Sequence, residues 1–272
     1  VCARIKMMEE LDLALIKKRS VTGVVALTSR TFFLQIINFG SMFILTILLA
    51  PEVFGIFFVV TAVVNFLNYF SDIGLAAALI QKKEALTRAD LKTTFTIQQG
   101  LVLFLVILSL LASSWLAQFY GLNSPGLWLF RALVFSFFLA SLKTIPSVLL
   151  ERKLDFNRLV IPQIGETILF NLVAVFLAWK GAGVTSFTWA VLARGFSGLV
   201  LIYLLSPWKP GLALNKASAR KLLSFGIPFQ ANSLLALVKD DLLTVFLGKI
   251  LPFSQVGFLG WAQKWANFPL RF

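Results

Sequence analysis

From Thr93 to Phe130 the chain reads TTFTIQQGLVLFLVILSLLASSWLAQFYGLNSPGLWLF, 38 residues without a charged side chain. A helix needs about 20 predominantly apolar residues to cross the hydrocarbon core of a bilayer. The stretch therefore holds one full crossing, a turn at GLNSP and the start of a return. Trp115, Tyr120 and Trp128 flank that turn, as aromatic side chains do at the membrane interface. Outward in both directions the pattern repeats. Residues 31–51 and 53–71 each contain no charge. Of the 272 residues 58% are hydrophobic and the mean hydropathy is +0.87, against roughly 45–50% apolar content in a soluble domain. These numbers describe an all-α, polytopic membrane bundle.

Apolar runs give eight predicted segments, at about 23–49, 54–80, 93–118, 127–150, 159–179, 185–206, 222–247 and 255–272. Lys and Arg orient them. Arg4, Lys6, Lys17, Lys18 and Arg19 precede the first; Lys82, Lys83, Arg88 and Lys92 join the second to the third; Arg152, Lys153 and Arg158 join the fourth to the fifth; Lys209, Lys216, Arg220 and Lys221 join the sixth to the seventh. The opposite loops carry only Lys180 and Lys249. Positive residues stay on the cytoplasmic side, so the N-terminus is expected in the cytoplasm.

The net charge of +13 is thus a topology signal. A nucleic-acid binder gathers its basic residues on one solvated face, and these are scattered through short loops, so no nucleic-acid partner is expected. With one cysteine and no histidine, an intrachain disulfide, an imidazole metal cluster and a Ser-His or Cys-His dyad are excluded. No loop is long enough to be a soluble catalytic domain, and no Asp-x-Asp motif occurs. The chain reads as a non-enzyme without cofactor.

LTILLAPEVFGIF (Leu45–Phe57) resembles LTVFLGKILPFSQVGF (Leu243–Phe258) with three residues inserted. A repeat about six spans apart predicts two six-helix halves in the same orientation; chance similarity between apolar helices is the competing explanation. The division is then a cytoplasmic segment 1–22, a first six-helix bundle 23–206, a cytoplasmic linker 207–221 and the start of a second bundle at 222–272. The chain opens on Val and stops inside an apolar segment, which reads as a piece of a longer protein.

Charges inside the spans are the candidate site. Counted along the predicted segments, Arg30, Asp72, Lys143 and Glu166 each lie seven or eight residues from a cytoplasmic end, about 12 Å at 1.5 Å per residue. A buried charge in a span costs about 2.5–3.5 kcal/mol or more and faces the bundle interior or a water-filled cavity. Two readings stand side by side. In one, Arg30–Asp72 and Lys143–Glu166 are structural ion pairs; in the other, the layer binds an anionic headgroup or a coupling cation. Gln35, Asn38, Asn65 and Asn68 add polarity to the first two spans. Arg194 sits in the middle of the sixth segment with no acid expected at its depth, so an anionic ligand or an acid from a missing half would partner it. Asp240, with Lys239 and Asp241, lies toward the outer side of the seventh.

Several stretches resemble the polysaccharide transporter family, the Wzx-type oligosaccharide flippases of the multidrug/oligosaccharidyl-lipid/polysaccharide exporter superfamily. They are ILLAPEVFGIF, FSDIGLAAALIQKKE, TIPSVLLERKLDF, LLSFGIPF, DDLLTVFLGKIL and VGFLGWAQKWANFP. The resemblance implies twelve or more spans in two bundles around a central cavity. It also implies alternating-access movement of a polyprenyl-(pyro)phosphate-linked oligosaccharide across the inner (cytoplasmic) membrane in polysaccharide biosynthesis. Arg30, Lys143 and Arg194 would then bind phosphate, and Asp72, Glu166 or Asp240 would bind a coupling H+ or Na+. Implied partners are the lipid-linked oligosaccharide, membrane lipids and a polysaccharide polymerase. The alternatives are an organic-cation antiporter of the same superfamily, which would favour an acidic aromatic cavity, and a membrane glycosyltransferase or polymerase.

Overall fold

The computed structural model describes Val25 and residues 28–267, except for the side chains of 232–240 and 267. Every regular element among them is α-helical. They are α1 (Thr28–Leu48), α2 (Pro51–Asn68), α3 (Leu75–Gln81), α4 (Arg88–Leu111), α5 (Ser113–Tyr120), α6 (Ser124–Leu142), α7 (Thr144–Arg152), α8 (Phe156–Trp179), α9 (Val184–Leu205), α10 (Lys216–Ile250) and α11 (Phe253–Asn267). Among the described residues six stretches are long and apolar enough to span a membrane: α1, α2, α4, α6 with α7, α8 and α9. The seventh predicted segment lies within α10, whose 35 residues extend about 52 Å at 1.5 Å each. Large apolar side chains stay outward along the spans, among them Phe104 and Ile107 on α4 and Leu172 and Phe176 on α8. In water that would be costly; in hydrocarbon it is the expected face. The segment 1–22, predicted to be cytoplasmic, lies outside the described residues.

Three segments expected as single helices are broken. In the second, the chain leaves α2 at Tyr69 and re-enters helix at Leu75. Ile73 (φ 48°) and Gly74 (φ 71°) take left-handed backbone, which a β-branched residue such as isoleucine adopts only where surroundings force it. Those surroundings are α10. A Cβ on Gly74 would fall 2.8 Å from the carbonyl carbon of Gly226, so the two glycines bring α3 and α10 into backbone contact. The Tyr69 carbonyl, released from the helix ladder, accepts from Gln230 Nε2 at 2.8 Å.

The fourth segment breaks at Lys143, between α6 and α7. Pro146 lacks the N–H that would bond the carbonyl four residues back, that of Leu142. The Tyr203 hydroxyl donates to that carbonyl at 3.1 Å. The third segment also breaks, at Ala112 between α4 and α5.

The helices pack around two apolar clusters. The larger includes Phe54, Val60, Phe130, Val134, Phe187 and Ala190, from α2, α6 and α9. The second, toward the α3–α4 loop, gathers Leu75, Leu79, Phe95, Ile145, Val148 and Leu222 from α3, α4, α7 and α10. Above this cluster Arg152 closes the end of α3. Its guanidinium donates to the carbonyls of Leu79 (2.7 Å), Lys82 (2.7 Å) and Glu84 (3.0 Å). Lys221 donates to both Glu84 carboxylate oxygens at 2.7 and 2.8 Å, holding that carboxyl below its ordinary value.

The two resembling turns meet. A Cβ on Gly55, the fifth residue of α2, would lie 2.5 Å from the carbonyl carbon of Phe253, the first of α11. Reciprocally, a Cβ on Gly257, the fifth residue of α11, would lie 2.9 Å from the carbonyl carbon of Pro51, the first of α2. Trp261 closes the seam edge-on against Phe54, with ring centroids 5.0 Å apart.

Candidate functional site

The site is best built from α8. Asp155 caps its start through the Arg158 N–H, so the helix begins at Phe156, three residues before the predicted boundary. From there Gln163, Glu166, Thr167, Phe170 and Asn171 fall on one stripe, since residues three and four apart share a helix face. The stripe faces a chamber.

Near the α6–α7 junction the chamber is a cavity of about 370 Å³ whose lining includes Arg30, Lys143, Glu166 and Arg194. Lys143 Nζ donates to Glu166 Oε1 at 2.5 Å, and Arg194 Nε lies 3.6 Å from Glu166 Oε2. One carboxylate thus bridges two cations from different helices. Its space comes from Gly198, one turn beyond Arg194 on α9: a Cβ there would lie 2.6 Å from Glu166 Cγ. Arg30, from α1, bonds the Gln163 side chain on α8, while its buried Nε has no hydrogen-bond partner among the described residues.

A second, larger cavity of about 560 Å³ adjoins the first, sharing Thr167 and Arg194 in its lining. Its walls alternate amides and aromatics: Gln35, Asn38 and Phe39 on α1, Phe57 and Asn65 on α2, Phe170 and Asn171 on α8. Asn171 Nδ2 donates to Asn38 Oδ1 at 3.0 Å, tying α8 to α1 across the wall. Lys264 and Trp265 of α11 also line this cavity, and the Lys264 ammonium sits 4.8 Å from the Phe58 ring centre. Among the described lining residues of the two cavities, four cations (Arg30, Lys143, Arg194 and Lys264) face one acid, Glu166.

Arg30, Lys143 and Glu166 are therefore brought together as the sequence layer predicts, and Lys143–Glu166 is a pair; Arg194 joins them from outside that layer. Two expectations need correction. Arg194 does have an acid at its depth. Glu166 is ten residues into α8 and Arg194 eleven from the end of α9, about 15–16 Å in each case; starting the fifth segment at Leu159 hid the match. Arg30 does not pair with Asp72. Asp72 stands in the α2–α3 break, where its carboxylate accepts from the Ala76 N–H at 3.1 Å and caps α3. Of the outer-side group, Asp241 accepts from the Tyr69 hydroxyl at 2.7 Å; the side chain of Asp240 lies outside the described residues. Gly195 lets α9 approach Leu139 and Ser136 of α6.

Sequence reading missed Gln163, Thr167 and Asn171, although their stripe with Glu166 was a usable signal. It also missed Lys264, whose neighbours on α11 gave no hint that it faces inward.

An all-helical, multi-span protein with a cation-rich internal chamber is the class these features define: a polytopic integral membrane protein. The family described as polysaccharide biosynthesis protein matches residues 44–272, and the chain belongs to that family. Over 257 residues it is 22% identical to the lipopolysaccharide biosynthesis protein WzxC of Escherichia coli (strain K12), a match covering 93% of this chain and 52% of that protein. The chain thus spans about half the length of that curated relative.

Proposed function

We propose that the protein is a flippase that carries a polyprenyl-(pyro)phosphate-linked oligosaccharide across the cytoplasmic membrane by ion-coupled alternating access, as a step in polysaccharide biosynthesis. The observation carrying this reading is the chamber. Arg30, Lys143 and Arg194 line one cavity, where phosphate oxygens would find charge-assisted donors in place of water. The adjoining amides and aromatic rings suit a sugar, whose hydroxyls need hydrogen bonds and whose ring faces are apolar. The family match supports a saccharide context. The reciprocal seam of α2 and α11 supports two like-oriented halves, the first at 23–206 and the second from 222, and the Lys and Arg bias of the loops supports an N-terminus in the cytoplasm. Of the two acids considered for coupling whose side chains are described, Asp72 and Glu166, it is Glu166 that lines the chamber.

The test is outer-leaflet appearance of a labelled polyprenyl-diphosphate oligosaccharide in proteoliposomes of the full-length protein, with and without an ion gradient. Wild type should flip the lipid. The triple variant Arg30→Gln, Lys143→Gln, Arg194→Gln should lose flipping at normal folded yield. Normal flipping by that variant, or export of a cationic dye in place of the lipid, would overturn the reading.

A further inference from the structure

Glu166 occupies the place a ligand anion would need. It lies on Lys143 and within ion-pair range of Arg194, two of the three cations of the inner cavity. The substrate cannot make full contact with them while the carboxylate stays bound. We propose that Glu166 is an exchangeable counter-ion: the substrate's diphosphate displaces it from Lys143 and Arg194, and the released carboxylate takes up one proton from solvent. This rests on the reading of the chamber as a diphosphate site.

Three structural facts carry the argument. First, among the described residues the carboxylate is held by side chains alone, an ammonium at 2.5 Å and a guanidinium at 3.6 Å, so exchange breaks no backbone bond. Second, Glu166 is tucked over Gly198 with its side chain 11% exposed, leaving it next to the incoming anion after displacement. A carboxylate beside a like charge in a poorly solvated site favours its neutral form. Third, among the described residues no other charged group lines the cavity to hold it ionised. Around Glu166 stand Lys143 from the α6–α7 junction, Arg194 from α9 and, across the cavity, Arg30 from α1; all three would be engaged by the diphosphate. From α7 the cavity receives Ser147, and Tyr203 of α9 donates its hydroxyl to the Leu142 carbonyl. The step balances simply: the Lys143 and Arg194 contacts pass from one anion to another, and a solvent proton adds to a Glu166 oxygen.

The experiment is titration calorimetry of the full-length protein in detergent with farnesyl-diphospho-N-acetylglucosamine. This probe is a diphosphate diester whose own groups do not titrate near neutral pH. Measured in two buffers of different ionisation enthalpy, wild type should take up a substantial fraction of one proton per ligand. Glu166→Gln should bind severalfold more tightly, because no carboxylate competes, and should take up none. Binding by wild type with heats independent of buffer would overturn the exchange while leaving the diphosphate site standing. Proton uptake undiminished in Glu166→Gln would overturn it as well. Absence of binding by folded wild type would instead overturn the underlying site assignment, and the exchange with it.

Discussion

Substituting alanine at Gly55 or Gly257 tests the seam between α2 and α11 directly. In each case the added methyl meets backbone of the other helix, 2.5 Å from the Phe253 carbonyl carbon or 2.9 Å from that of Pro51. Ordinary contacts of this kind lie at 3.4–4 Å, and a carbonyl within a helix cannot rotate aside, so the helices must part by roughly 1 Å. Overpacking of this sort costs about 1–3 kcal/mol, and with no side chain to yield the upper end applies. The helix-propensity gain of Gly→Ala returns about 1 kcal/mol, leaving each single variant destabilised by about 2 kcal/mol. The reciprocity sharpens the expectation. Either methyl alone forces the separation that the other requires, so the double variant should cost less than the sum, with a coupling of about 1–2 kcal/mol. Thermal unfolding of the full-length protein in detergent, read by tryptophan fluorescence, would follow it, with Trp261 as a reporter beside the seam. Gly40→Ala and Gly100→Ala are the controls: nothing lies within 4 Å of a Cβ at either position, and both should be neutral or slightly stabilising. Fully additive losses, or singles as benign as the controls, would refute the seam as described.

Arg152→Gln should destabilise the protein around the end of α3 by about 2 kcal/mol, since hydrogen bonds to a charged group are worth about 1.5–3 kcal/mol and the three close carbonyls lose a shared donor; Arg152→Lys should recover little, an ammonium lacking the fork that reaches several acceptors. Chemical unfolding of the variants measures both. Asp72→Ala should cost about 1 kcal/mol as a lost helix cap, whereas Asp72→Asn, which keeps an acceptor for the Ala76 N–H, should retain stability and gradient-driven transport; loss of transport at full stability would make Asp72 an ion site. Glu84 is held below its ordinary value of 4.5, first by the Lys221 hydrogen bond, so its contribution is present above that value and lost as pH falls through the lower folded value. The thermal midpoint of wild type should therefore exceed that of Lys221→Met at neutral pH, and the difference should close on acidification.

The spans were legible because a bilayer demands long uncharged runs, and the runs from Thr93 and from residue 31 can be read in no other compact way. The breaks were hidden because hydropathy does not register backbone. Nothing in YFSDIGLAA distinguishes a continuous helix from one interrupted by left-handed Ile73 and Gly74; the interruption is imposed by Gly226, about 150 residues later, a tertiary override of local preference. Asp72 was likewise read as a partner of Arg30, whereas its carboxylate accepts from the Ala76 N–H. Inward-facing charges fared better, because a charge in a span has few places to go. Depth counting grouped Arg30, Lys143 and Glu166 correctly and failed for Arg194 only through a boundary error of one helical turn on α8. Lys264 was beyond that method, since its orientation follows from how α11 packs on α2.

The seam of α2 and α11 also has a consequence for synthesis. Pro51 and Phe253 are separated by about 200 residues, so at a chain-elongation rate of about 5–20 residues per second the face around Gly55 waits roughly 10–40 s for its partner. During that interval the small-residue surface is open to lipid or to a neighbouring nascent helix. The first spans must therefore enter the membrane and persist there without the contact that later locks them, and a ribosome stalled between α9 and α11 would leave a bundle with one unsealed side.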